Sequence, residues 1–212
     1  MDFEHLIELI GQQPLFESTL LLAGDVNPAN LQKQLSRWTS TGKVLQLRRG
    51  LYALAKLYRQ KEPHPFLIGN QLVEPSYVSV QSALAHYDLI PEAVTEVTNI
   101  TIRRRSKTYQ TPFGRFKYQH VQRDLFFGFS LVQITFDQYC YLARPEKALL
   151  DLIYLSPQGN ELDFLETLRL QNLEKLDLSW MRATTKSLGM SKLISAVENI
   201  AKLMSGITYQ QL

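Results

Sequence analysis

The chain has 212 residues, of which 45% are hydrophobic and 20% charged, with a formal net charge of +3. This composition supports one large or two small folded domains and excludes wholesale disorder. No apolar run reaches the roughly 18–20 residues that span a bilayer, the first residues lack a secretion-signal pattern, and a single cysteine, Cys140, excludes a disulfide framework. We therefore expect a cytoplasmic protein that does not contact membranes.

Apolar residues at helical spacing predict a first helix over residues 2–11. Residues 16–23 form a short apolar stretch that fits a brief second helix or a strand, and Gly24–Asp25 predicts a turn. Asn27 and Pro28 are typical of a helix start, as cap and first helical residue. This third helix, ending near Thr41–Gly42, carries Leu31, Leu35 and Trp38 as one apolar stripe.

Apolar residues alternate with other residues in two short segments of 43–54, on either side of Arg48-Arg49-Gly50. This pattern predicts a β-hairpin with a basic tip. The order helix, helix, turn, helix, hairpin is typical of a winged helix-turn-helix. In that fold the third helix enters the DNA major groove, and the hairpin lies along the DNA backbone.

The remaining chain mixes strands and helices. Residues 59–65 are typical of a linker. Residues Thr111–Gly114 predict a turn. Strand 115–121 is expected to be the hairpin partner of strand 94–103. Further helices are expected at 65–72, 80–87, from Pro145 and over most of 161–212, and further strands at 77–79, 126–134 and 139–143. We predict an α+β protein: a winged helix-turn-helix over 1–58, a linker over 59–65, and a mixed α+β domain over 66–212 with a mainly antiparallel sheet and C-terminal helices.

The basic residues are unevenly distributed. Residues 27–61 hold eight basic and no acidic residues, residues 97–123 hold seven and none, and the rest of the chain holds 8 basic against 20 acidic residues. Two concentrated positive surfaces on an otherwise acidic protein indicate a polyanionic partner. Two solvated faces without a partner are the alternative.

The third helix and the hairpin carry the candidate DNA contacts. Lys33 and Arg37 lie one turn apart opposite the apolar stripe, and an arginine there can pair with guanine. The Asn30 side chain can form hydrogen bonds with an adenine base or with a phosphate. The full predicted set is Asn27, Asn30, Lys33, Ser36 and Arg37 on the helix, with Asn27 and Ser36 on phosphates, and Arg48 and Arg49 on the backbone or in the minor groove.

The second basic stretch is compatible with two interpretations. Its cations are Arg103, Arg104, Arg105, Lys107, Arg115 and Lys117, interleaved with tyrosine and phenylalanine. Basic residues among aromatic ones can bind nucleic acid or another partner. The same alternation arises in a hairpin with one face in the core and the other in solvent.

The sequence offers no positive sign of catalysis. The four histidines are widely separated, which predicts no metal site, and there is no glycine-rich phosphate loop or nucleophile motif. Cys140 lies in an apolar strand and is expected to be an inert core thiol. We expect a protein that is not an enzyme and has no catalytic residues, metal or cofactor.

Three groups of residues resemble one known family. Residues 27–38, 42–44 and 48–54 resemble the N-terminal domain of the AbiEi family, and residues 77–84 and 143–152 are similar to pieces of its second domain. The family comprises antitoxins and autorepressors of bacterial abortive-infection toxin–antitoxin systems. The resemblance implies a protein that represses its own operon at inverted repeats in double-stranded DNA. It also implies that the protein counteracts a nucleotidyltransferase-like toxin through the C-terminal domain, without requiring direct contact.

Two alternatives share the N-terminal domain. One is a transcription regulator whose C-terminal domain senses a ligand or protein and has no antitoxin role. The other is a protein that binds its toxin tightly through an apolar patch on the C-terminal helices.

Overall fold

A computed structural model describes residues 1–22 and 27–210, with side chains described up to residue 205. The turn predicted at Gly24–Asp25 lies outside the described residues. The protein is mixed α+β, as the sequence predicts. Within the described residues, no helix combines the length and apolarity needed to cross a membrane.

The described residues form both α-helices and β-strands. The helices are α1 (Phe3–Ile10), α2 (Pro28–Ser40), α3 (Pro65–Leu72), α4 (Val80–His86), α5 (Pro145–Leu155), α6 (Leu162–Thr167), α7 (Leu178–Leu188) and α8 (Ser191–Gln210). The strands are β1 (Phe16–Glu17), β2 (Val44–Arg48), β3 (Leu51–Leu54), β4 (Ser76–Val78), β5 (Glu96–Thr101), β6 (Lys107–Thr111), β7 (Gly114–His120), β8 (Phe129–Thr135) and β9 (Gln138–Ala143). Short 3-10 helices occupy Ser18–Leu22, Arg123–Leu125 and Leu173–Lys175.

The N-terminal helices and strands pack around one small hydrophobic core. The strands form a three-stranded antiparallel sheet in the order β1-β3-β2. Residues 16–23, for which helix and strand were both open, divide into β1 and a 3-10 helix over the described part. Leu31, Leu35 and Trp38 of α2 are buried with Leu6 and Ile10 of α1. The apolar stripe predicted for the third helix is therefore confirmed as its packing face.

A six-stranded sheet in the order β6-β7-β5-β4-β9-β8 forms the centre of the remaining chain. The β6–β7, β4–β5 and β8–β9 pairs are antiparallel, whereas β5–β7 and β4–β9 are parallel. The predicted pairing of residues 115–121 with 94–103 as a hairpin is wrong, because β7 runs parallel to β5. The turn at Pro112–Phe113 instead joins β7 to β6, a strand that the sequence did not predict.

The two faces of this sheet are covered differently. On one face, α4, α5, α7 and α8 enclose the main core, which includes Ala83, Leu149 and Val197. On the other face, Phe116 and Tyr118 of β7 pack with α3 and with leucines of the β2–β3 hairpin. A continuous apolar contact therefore joins the hairpin to the sheet.

Part of the predicted linker is attached to the six-stranded sheet. The side chain of Gln138 accepts a hydrogen bond from the backbone N–H of His64 at 2.7 Å and donates to the carbonyl of Glu62 at 2.9 Å. Lys61 forms an ion pair with Asp137 in the neighbouring β8–β9 turn. Residues 61–64 are thus fixed against the sheet in this conformation.

Candidate nucleic-acid interface

Helix α2 has one buried and one exposed face. Asn27 begins the helix, and its side-chain oxygen accepts hydrogen bonds from the backbone N–H groups of Ala29 (2.9 Å) and Asn30 (3.2 Å). Pro28 follows at the first helical position, where its missing N–H costs nothing. The sequence therefore specifies where α2 starts, and the spacing of its apolar residues determines which face is exposed.

The predicted DNA-contacting residues of α2 lie on the exposed face. Asn27, Asn30, Lys33, Ser36 and Arg37 are all exposed. Lys33 and Arg37 are one helical turn apart, and neither side chain has a hydrogen bond or ion pair to any other described residue. Because the Asn27 oxygen caps the helix, its amide N–H groups are the donors left for a phosphate.

The two arginines at the hairpin tip differ in their surroundings. Arg49 is exposed. Arg48 is partly buried: its guanidinium donates to the backbone carbonyl of Gln71 in α3 (3.1 Å) and forms an ion pair with Glu17 (2.8 Å). Arg48 therefore attaches the hairpin to α3, and Arg49 is the freer cation for a DNA backbone.

The structure brings part of the second basic stretch beside the hairpin. A cleft of about 670 Å³ is lined by Arg48, Glu74, Tyr109 and Tyr118 together with Arg103, Arg104, Arg105 and Lys107. The Arg103 guanidinium donates to the backbone carbonyl of Glu74 at 2.8 Å, and the Lys107 ammonium lies 4.3 Å from the Tyr109 ring centre. Five cations and one carboxylate make this cleft strongly positive.

Arg115 and Lys117 lie on the opposite face of the sheet from this cleft. They alternate along β7 with Phe116 and Tyr118, which face the hairpin. Arg115 forms an ion pair with Glu96 at 3.1 Å. The six cations of the second stretch therefore belong to two surfaces: four beside the hairpin and two on the far side of β7.

The structure contains a buried polar cluster that the sequence did not predict. Asp151 of α5 accepts hydrogen bonds from the hydroxyls of Tyr77 (2.9 Å) and Ser79 (2.7 Å), and forms an ion pair with Lys147 one turn earlier. Burial raises the pKa of the Asp151 carboxyl, and the Lys147 ammonium opposes this rise. Lysine and aspartate four residues apart, with only apolar residues between them and after them in α5, are the signal that could have revealed it.

Cys140 is buried in β9, and burial raises the pKa of its thiol to about 12. We expect the native protein to resist iodoacetamide at pH 8, because the thiolate that reacts is almost absent. Mass spectrometry should show modification only after unfolding in urea. Alkylation of the native protein at the rate of the unfolded chain would contradict this assignment.

No cluster of three or more potential metal ligands occurs among the residues that the structure describes. Comparison with known proteins adds no family assignment: no family profile matches the chain, and no curated protein shows significant similarity to it.

Proposed function

We propose that this protein binds double-stranded DNA through the exposed face of α2 and represses transcription. The observation that carries the proposal is the outward position of Lys33 and Arg37, directly opposite the buried stripe of α2. An exposed arginine on a helix face can pair bidentately with guanine in the major groove. Neighbouring Asn30 and Ser36 can contact bases or phosphates.

The arrangement of the N-terminal elements supports a winged helix-turn-helix. Helix α1, the 3-10 helix at Ser18–Leu22 and α2 precede a β2–β3 hairpin, and β1 completes the small sheet. In such a domain α2 is the recognition helix and the hairpin is the wing. Arg49 at the tip then contacts the phosphate backbone beside the groove.

The cleft beside the hairpin suits the same polyanion. Arg104 and Arg105 are exposed there without a partner among the described residues, and Arg48 joins the cleft to the hairpin. We propose that Arg103–Arg105 and Lys107 extend the phosphate contacts and raise the affinity for all sequences.

The hairpin arginines should respond differently to substitution. Arg49→Ala is expected to reduce the slope of log affinity against log salt by about one unit, because one phosphate contact is lost. Arg48→Ala removes the attachment to Gln71 and Glu17 as well, so it should also lower the melting temperature. Fluorescence anisotropy at several salt concentrations and thermal unfolding measure both effects. An unchanged slope for Arg49→Ala would show that the wing is not part of the DNA interface.

The resemblance of the sequence to the AbiEi family supports a proposal for the biological role. We propose that the protein is an antitoxin that represses its own operon at inverted repeats and counteracts a nucleotidyltransferase-like toxin. Contact between antitoxin and toxin is not needed for this role. The alternative is a regulator that senses a ligand or protein through its C-terminal domain, without antitoxin activity.

Two experiments with the full chain test the two halves of this proposal. Binding to a labelled fragment of its own promoter, in the presence of excess unrelated DNA, tests sequence-specific repression. Co-expression with the product of the adjacent gene tests antitoxicity by growth rescue. Promoter binding without rescue would support the regulator alternative, and rescue without binding would overturn the role of α2.

A further inference from the structure

A second cavity, of about 750 Å³, lies on the face of the sheet away from the hairpin. One wall is apolar and comes from helices and a connecting segment, with Val80, Ile90, Leu152, Leu155 and Leu168. The opposite wall is polar and comes from Thr98 of β5 and Lys117 and Gln119 of β7. Small-molecule sites have volumes of roughly 300–1,000 Å³ and combine apolar walls with a few polar groups.

The charges around this cavity are almost fully paired. Glu96 forms an ion pair with Arg115 at 3.1 Å, and Glu92 lies 3.9 Å from Arg169. Lys117 is half-buried, and its ammonium has no carboxylate or hydrogen-bond partner in the described part of the chain. One positive charge therefore remains uncompensated beside an apolar wall.

The backbone at the cavity wall is strained. Val80 adopts φ of 55°, a left-handed conformation that is a genuine outlier for a β-branched residue. Such strain persists where the surroundings enforce it and is concentrated at ligand sites and switch regions. Val80 is the first residue of α4, and it lines this cavity.

We propose that this cavity binds a small organic monoanion with an apolar body, such as a medium-chain carboxylate. The anionic head pairs with Lys117, with the Thr98 hydroxyl and the Gln119 amide as neighbouring donors. The apolar body lies along Leu152 and Leu155. A single uncompensated cation matches a single negative charge, and the leucine wall explains why an inorganic anion alone would bind less well.

The proposed ligand site shares no residue with the proposed DNA contacts, but it lies on a strand that supports the hairpin. Phe116 and Tyr118, on either side of Lys117 in β7, pack against hairpin leucines on the opposite face. We therefore test ligand binding on the protein without DNA. If no ligand binds, the ligand proposal fails and the proposed DNA function is unaffected.

The experiment is a titration of the full ¹⁵N-labelled chain with octanoate, followed by amide chemical shifts. Octanol is the matched probe, because it has the same tail without the charge. Lys117→Gln removes the cation, Lys117→Arg keeps it, and Lys107→Gln in the other cleft is the control. Unchanged spectra elsewhere in each variant establish that it is folded.

We expect octanoate to shift amides around Lys117, Thr98 and Leu155, and to bind more tightly than octanol. Loss of one charge-assisted contact should weaken octanoate binding about tenfold or more in Lys117→Gln. Lys117→Arg and Lys107→Gln should stay near wild type. Octanoate shifts located elsewhere, equal binding of octanol, or wild-type affinity in Lys117→Gln would each overturn the proposal.

Discussion

Reversing both central cations of α2, as Lys33→Glu with Arg37→Glu, is expected to reduce the affinity for promoter DNA by about 100-fold or more. The change removes a base or phosphate contact at each position and places two carboxylates against the phosphates. Both side chains are exposed and without partners among the described residues, so the fold should be unaffected. Fluorescence anisotropy with a labelled duplex measures the loss.

Lys186→Glu is the control for charge reversal at a surface away from α2, because Lys186 is also exposed but lies on α7. It changes the net charge in the same direction as each single reversal. We expect it to bind DNA nearly as wild type does. A folded double variant of α2 that binds as tightly as this control would contradict the proposed interface.

The second large effect is expected in the buried cluster of α5. Lys147→Met should destabilise the protein by about 3–5 kcal/mol, because it leaves the buried Asp151 carboxylate without its cation. The double variant Lys147→Met with Asp151→Asn removes both charges and keeps an acceptor for Tyr77 and Ser79. It should be more stable than Lys147→Met alone. Urea unfolding measures the free energies.

The opposite order of stability would show that the Asp151 carboxylate is tolerated without its cation, because methionine in both variants controls for the alkyl chain of Lys147. That chain packs closely against Gly128, where an added Cβ would lie 3.0 Å from it. Methionine retains most of this volume. The comparison therefore separates the loss of charge from the loss of packing.

Local signals in the sequence predicted the N-terminal elements well. The Asn27–Pro28 start and the spacing of Leu31, Leu35 and Trp38 determine both the beginning of α2 and its buried face. The hairpin follows from alternation around a glycine, and Gly50 adopts φ of 86° there. These features depend on residues that are close together in the chain.

Other features depend on distant residues and could not be predicted this way. Strand β6 is mostly exposed at a sheet edge, so its residues lack the apolar alternation that indicates a strand. The attachment of Arg48 requires Gln71, 23 residues later. The separation of Lys107 from Lys117 onto opposite faces follows from the hairpin register, which composition does not reveal.

The most direct test of DNA binding by α2 uses a cleavage reagent attached to its margin. Because Cys140 is buried with a thiol pKa raised to about 12, a cysteine introduced at exposed Gln32 can be labelled selectively with iron–EDTA. Ser187→Cys on α7 is the matched exposed position. We expect strand cleavage within the bound site from Gln32→Cys and background cleavage from Ser187→Cys. Cleavage from position 187 with none from position 32 would contradict it.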